Sequence, residues 1–154
     1  MQKILVPVDG SVRAEAAVKE AIRLAKAGAA GEIHLLNVQA DLFSGTGMAK
    51  LAPVDVDTYY YEASDKALAA AVDLLRKAGV SFTVHRAVGD AAEIIAARAR
   101  ELECDAIVMS TRGHGKLMGM LLGSVSTKVL HLADVPVTLV REPATDYSGR
   151  LMAS

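Results

Sequence analysis

Apolar residues fall into two alternating patterns along the chain. Ile4-Leu5-Val6-Pro7-Val8 is a short continuous apolar run closed by the turn signal Asp9-Gly10-Ser11, too short for a helix, and it predicts a buried strand. From Ser11, a favoured N-cap residue type, Ala14, Ala17, Ala21, Leu24 and Ala25 recur at spacings of three and four. Arg13, Glu20, Arg23 and Lys26 fall on the other faces, and Gly28 and Gly31 end the pattern. That spacing predicts an amphipathic helix. The cycle then repeats. Ile33 to Val38 predicts a second strand, Gln39 to Val56 a long loop, and Asp57 to Ala78 a helix closed by Gly79. Val80 to Val88 alternates as a third strand. Asp90 lies three residues before Glu93, the capping-box spacing, and opens a helix running to Glu103. Asp105 to Ser110 predicts a fourth strand, Gly123 to Leu132 a short helix and Val135 to Val140 a fifth strand.

Strands that read as apolar runs, alternating with helices, are covered on both faces. The pattern therefore predicts an α/β fold, a doubly wound open sandwich on a five-stranded parallel sheet with four helices. Residues 1–142 form one domain in this reading, and 143–154, which lack any apolar period, form a mobile tail. No internal repeat or low-complexity linker interrupts the chain.

Composition narrows the function. The 154 residues carry 17 Lys and Arg against 18 Asp and Glu, a net charge of −1, with a pI near 6.4. A duplex binder would need a basic excess to displace counterions, so a nucleic acid is not the expected partner. Aromatic residues are only 4% and Trp is absent, which removes the platforms on which single strands stack. Hydrophobic residues at 52% are enough for a core of Ala, Val, Leu and Ile. No run approaches the ~18 apolar residues of a membrane span. With the single Cys104 and no signal pattern after Met1, the expectation is a cytoplasmic protein without a membrane partner.

In sheets of this kind the ligand crevice lies beyond the carboxyl ends of the strands, where strand order reverses. Two loops fit that position. One is Val8-Asp9-Gly10-Ser11. The other runs from Ser110, Thr111, Arg112, Gly113, His114, Gly115 and Lys116 to Gly123, Ser124, Val125 and Ser126. Its glycines and the helix start at Gly123-Ser124 supply uncommitted backbone N–H groups and a positive helix end, the parts of a phosphate cradle. The 28 residues from Ala106 to Ala133 contain no Asp or Glu, but do contain Arg112, Lys116 and Lys128. Such a local positive field suits a small anion. Composition alone fits a plain surface loop equally well. Neither a Walker loop nor a Gly-x-Gly-x-x-Gly after the first strand is present.

The residues resemble the universal stress proteins, whose nucleotide-binding members carry Gly-x2-Gly-x9-Gly-Ser/Thr after strand four. Here the corresponding positions are Ser110, Gly113, Gly123 and Ser124, followed by Val125-Ser126. The likeness extends over Lys3 to Ser11, His34 to Val38, Asp105 to Met109 and Val135 to Val140. It implies a sheet of order 3-2-1-4-5, the adenine nucleotide alpha hydrolase-like arrangement, binding ATP, or AMP or ADP, with Mg2+. By position, Val38 would meet adenine through its backbone, with Pro7 and Val8 walling the base. Asp9 would face ribose or a metal-bound phosphate, Ser110 to Lys116 would wrap ribose and phosphates, and Gly123 to Ser126 would hold the phosphate tail. Ser110 stands where the family has glycine. A side chain there either crowds the ribose and resists a positive φ, or is tolerated and donates a hydrogen bond. The last strand reads as a sheet edge, where Pro136 is acceptable as the first residue, and the resemblance implies a homodimer through it, about Val135 to Arg141.

Other residues read more plainly. Cys104 is expected to be a packed, inert thiol. His34, His85, His114 and His131 show no paired ligand spacing, and a metal site built from them is not expected. Tyr59-Tyr60-Tyr61 fan around a helix and cannot make one stacking face; partial burial and cover for the long loop suit them better. Met118, Met120, Leu121 and Leu122 suit either packing or a partner surface. No nucleophile, base and orienting group form a set, so at most slow ATP hydrolysis is expected. The leading expectation is a regulatory, stress-response ATP-binding module. The alternative is a dimeric interaction protein on the same fold without a nucleotide, and a substrate-specific enzyme of the related hydrolase superfamily is the least favoured.

Overall fold

In the computed structural model the described residues are 2–43, 55–111 and 123–141. Along the chain they form β1 (Gln2–Pro7), α1 (Ala14–Lys26), β2 (Ala30–Gln39), α2 (Val56–Ala78), β3 (Phe82–Val88), α3 (Ala91–Glu101), β4 (Ala106–Ser110), α4 (Ser124–Leu132) and β5 (Val137–Val140). The five strands form one parallel sheet in the order β3-β2-β1-β4-β5. The expected sheet and its four helices are present.

Successive strand residues feed two separate cores. Ile4, Val6, Ile33, Leu35 and Val108 face α1 and α2, where Ala17, Val18, Ala21, Leu68, Ala71 and Leu75 are buried against them. Leu5, Leu36, Ile107 and Met109 face the opposite way, toward Ala92, Ile95 and Ala99 of α3 and Val129 of α4. Double coverage explains why the strands lack polar alternation. Fully burying a leucine such as Leu5 or Leu36 contributes about 1.5–3 kcal/mol. The alanines of α1 and α3 let both helices lie close to the sheet.

Local signals place most boundaries. Asp55 caps α2 by accepting the Asp57 N–H at 3.0 Å, and Asp90 caps α3 by accepting that of Glu93 at 3.0 Å. Gly79 takes φ +70 after α2. Its N–H bonds to Arg76 and that of Val80 to Leu75, the paired bonds of a Schellman stop that only a left-handed residue completes cheaply. This stop holds Val80, so β3 begins at Phe82 rather than at Val80.

Three further boundaries also differ from the sequence reading. The regular part of α1 begins at Ala14, three residues past Ser11: Asp9 Oδ1 accepts from the Ser11 backbone and hydroxyl at 3.0 and 2.6 Å, making a tight turn, and the Ser11 Oγ accepts the Ala14 N–H at 3.3 Å, the capping bond expected of it. Gly31 lies inside β2, which starts at Ala30, so Gly28 alone follows α1. Pro136 precedes β5, which its ring excludes it from extending, but its carbonyl accepts the Ile107 N–H at 3.0 Å. The segment 143–154 and most of the expected 39–56 loop lie outside the described residues.

Candidate functional site

At the centre of the sheet, β1 has β2 on one side and β4 on the other, and the strand order reverses between β1 and β4. Beyond their carboxyl ends lies a cavity of ≈ 150 Å³. Pro7, Val8, Asp9, Val38, Ser110, Thr111, Gly123, Ser124, Val125 and Ser126 all line it. The remaining candidates, Arg112, Gly113, His114, Gly115 and Lys116, lie outside the described residues, as do Met118 to Leu122.

The first wall is the end of β1. Val8 donates its N–H to Leu36 at 2.8 Å, and the Asn37 side chain donates to the Val8 carbonyl at 2.8 Å. Asn37 is 1% exposed, and its own carbonyl oxygen accepts from Gln39 and Ser64 at 2.8 and 2.9 Å. A buried amide satisfied this fully fixes the β1 turn to β2 and α2. Gly10 then turns the chain with φ +84, where a Cβ would stand 3.0 Å from the Ala67 Cα. Glycine is required there both by the positive φ and by the close approach of α2.

The second wall is the end of β4 and the start of α4. Gly123 caps α4 without any side-chain bond, and the first turn holds no acidic residue. Ser124, Val125 and Ser126 thus bring first-turn N–H groups, not taken up by a side-chain cap, and the positive helix end to the cavity wall. Ser126 Oγ reaches the Ser110 carbonyl at 3.5 Å, which joins the two ends of the loop. Thr111 is 7% exposed, and its Oγ1 is buried with no hydrogen-bond partner among the described residues. An unpartnered buried hydroxyl is costly, so its place on the cavity wall suits a ligand contact.

Ser110 is not called on to adopt a positive φ. It is an ordinary strand residue paired with Val140, and among the described residues the only non-glycine with a positive φ is Glu103. Its hydroxyl turns to α1 and accepts the Ala17 N–H at 3.2 Å. Of the three cations behind the expected positive field, Lys128 is the one among the described residues. Lys128 lies 3.2 Å from Asp90 and 3.5 Å from Glu93, so it is already neutralised at the N-terminus of α3. The Asp90 carboxyl is held below its usual range by the Glu93 N–H first and by Lys128 second.

Sequence reasoning missed Arg13, which lines the cavity, and the apolar floor made by Leu36, Ile95 and Met109. It also missed Asn37, although a lone amide in the run Ile33 to Val38 was a usable signal. Away from the cavity, Cys104 is buried, with its thiol pushed up by desolvation. Tyr59 and Tyr60 pack edge-on to Phe43 at the start of the long loop, while Tyr61 turns to the Arg86 guanidinium. Among the described residues no three His, Cys, Asp or Glu side chains are grouped to hold a metal. No described helix is long and apolar enough to cross a membrane.

A doubly wound parallel sheet with its crevice at the central reversal defines an α/β domain of the open-sandwich class. The comparisons name the lineage within that class: the sequence matches the universal stress protein family over residues 1–141, and the chain belongs to that family. Universal stress protein YxiE of Bacillus subtilis is 34% identical over 90% of this chain and 98% of its own. A solved structure of the hypothetical protein MJ0577 superposes with a TM-score of 0.75 at 26% identity, covering 94% of this chain and 98% of that one. A universal stress protein from Archaeoglobus fulgidus in complex with dAMP superposes at 0.65 with 23% identity, covering 92% and 98% of the two chains. Another in complex with cAMP superposes at 0.68, also with 23% identity, covering 91% and 97%.

Proposed function

We propose that this chain binds an adenine nucleotide, ATP with Mg2+ in the first place, in the crevice between β1 and β4, and acts as a regulatory stress-response module. The observation that carries the reading is the convergence of the β1 turn and the start of α4 on one cavity at the strand-order reversal. Two proteins of the same fold hold adenine nucleotides, which supports the choice of base. Val38, Pro7 and Val8 would enclose the base. Gly123 to Ser126 would bind phosphate oxygens through backbone N–H groups, with Arg112 to Lys116 completing the wrap.

Asp9 would hold Mg2+ brought in with the phosphates, since Mg2+ is commonly held by one or two carboxylates plus substrate oxygens. The ion would supply charge neutralisation. Asp9 Oδ1 already accepts two bonds from Ser11, so its other oxygen is the one left for the ion. Among the described cavity residues the Ser11 hydroxyl meets the Asp9 carboxylate, but no third side chain orients that pair, and slow hydrolysis is the most we assign to the site. A homodimer through β5 completes the reading. β5 is a sheet edge, and Leu130 and Leu132 of α4, the helix before it in the chain, are exposed.

Calorimetry with Mg-ATP on nucleotide-stripped protein tests the binding reading. Saturable heat is expected, and no heat at millimolar ligand would remove it, leaving the interaction-protein alternative. Light scattering coupled to gel filtration tests the dimer; a monomer at all concentrations would refute it.

A further inference from the structure

We propose that Arg13 reads the polyphosphate end of the ligand and makes the crevice prefer a nucleoside di- or triphosphate over a monophosphate; this rests on the adenine-nucleotide reading above.

Arg13 is placed where helix physics disfavours it. It stands at the start of α1 with φ −60 and ψ −35, already helical, two residues after Ser11, whose hydroxyl accepts the Ala14 N–H, and its own side chain bonds to nothing there. The positive end of a helix dipole favours a carboxylate or hydroxyl there, and a cation is the wrong sign. The same chain supplies the right residue elsewhere, with Asp55 capping α2 and Asp90 capping α3. Among the described residues Arg13 has no ion pair or side-chain hydrogen bond, although Glu15 follows it in the first turn and Asp9 stands in the same cavity wall. A residue that breaks a local rule and has no structural partner belongs to a binding site more readily than to the scaffold.

The cavity gives the charge a purpose. Arg13 and Asp9 are the only ionisable side chains among its described lining residues. Opposite them α4 opens with neither a side-chain cap nor an acid in its first turn. Two helix N-termini and a guanidinium, set against one carboxylate, give an excess of positive potential. That excess suits a chain of phosphates better than a single one. A guanidinium on a three-carbon stem can bond two phosphate oxygens at once, and Lys128, tied to Asp90 and Glu93, is not available for that task.

The test is a calorimetric titration of the full chain and its Arg13→Gln and Arg13→Lys variants with Mg-ATP, Mg-ADP, AMP and adenosine. Arg13→Gln is expected to weaken ATP and ADP by about 10-fold or more, the usual size of a lost charge-assisted bond, with AMP changed by less than about 2-fold. Arg13→Lys should recover part of the ATP affinity. Thermal unfolding without ligand should show Arg13→Gln at least as stable as the parent, because a cation leaves a helix N-terminus. Equal losses for ATP and AMP, unchanged ATP binding, or a clear fall in ligand-free stability would each overturn the proposal. A parent protein that binds none of the four would instead overturn the nucleotide reading beneath it.

Discussion

The centre of the sheet and its β3 edge treat polar groups in opposite ways. At the centre, β1 and β4 end with backbone N–H groups and side chains that face a cavity, while Asn37 and Ser110 brace them from behind. At the edge, His34 of β2 and His85 of β3 meet each other, with Nδ1 and Nε2 2.9 Å apart, and His34 Nε2 lies 3.2 Å from Glu32. The centre leaves its polar groups open to a ligand, and the edge closes them on one another. The bracing behind the crevice is thus what keeps uncommitted groups in place, and it can be removed piece by piece.

The largest expected effect is at Gly10. Gly10→Val forces a β-branched residue to φ +84 and drives its Cβ onto the α2 backbone at Ala67. Strain and overpacking together should cost about 3 kcal/mol in urea unfolding. A loss below about 1 kcal/mol would mean that α2 moves aside and that the turn is not braced by it.

Asn37→Leu keeps the volume but strands the Val8 carbonyl and the Ser64 hydroxyl, both of which bond only to this amide in the buried network. A loss of about 2 kcal/mol is expected. Because the β1 turn carries Asp9, Mg-ATP affinity should fall with it. Normal affinity in a destabilised variant would show that the network supports the fold and not the crevice.

Ser110→Gly restores the family residue and is expected to act on stability more than on binding. The Ala17 N–H loses its acceptor, at a cost of about 1 kcal/mol. Nucleotide affinity should stay within about 2-fold, because this hydroxyl faces α1. A large gain in affinity would show that the serine does obstruct the ribose.

These three residues also mark how far the sequence could be read. The strands, helices and the ends of the cavity loops were legible because apolar runs, glycine stops and the crevice rule are local signals; Gly79 and Asp90 act where such signals placed a helix end, while Asp55 caps α2 one residue ahead of its start at Val56, inside the expected loop. The orientation of Ser110 was not read, because only the folded sheet shows that Val108, two residues earlier in β4, shares its face and packs toward α1. Nor was Arg13. Its neighbours in sequence make it a solvated position on a helix, and only the folded cavity brings it opposite α4. The histidine pair depends on register: His34 stands opposite Thr83, so His85 lies one step further along the same face. Nothing in either strand alone specifies that offset.

The smallest effect tests the edge. Two facing imidazole nitrogens share one proton comfortably, but a second proton sets two N–H groups against each other. His85 is held below the usual histidine range by burial first, then by His34 and by Arg98 of α3, whose own partner is Glu101; Glu32 of β2 faces His34 from the other side. The unfolded chain therefore takes up a proton near pH 6.5 that the folded pair resists, and stability is retained above that pH and lost as the pH falls through the folded value. His85→Gln should flatten this loss, seen as a smaller drop in the urea midpoint between about pH 7 and pH 5 than in the parent. Ionising carboxylates contribute to both proteins and cancel in the difference. Identical pH profiles would show that the edge closes on uncharged packing alone, and that the contrast with the centre is one of geometry without an electrostatic part.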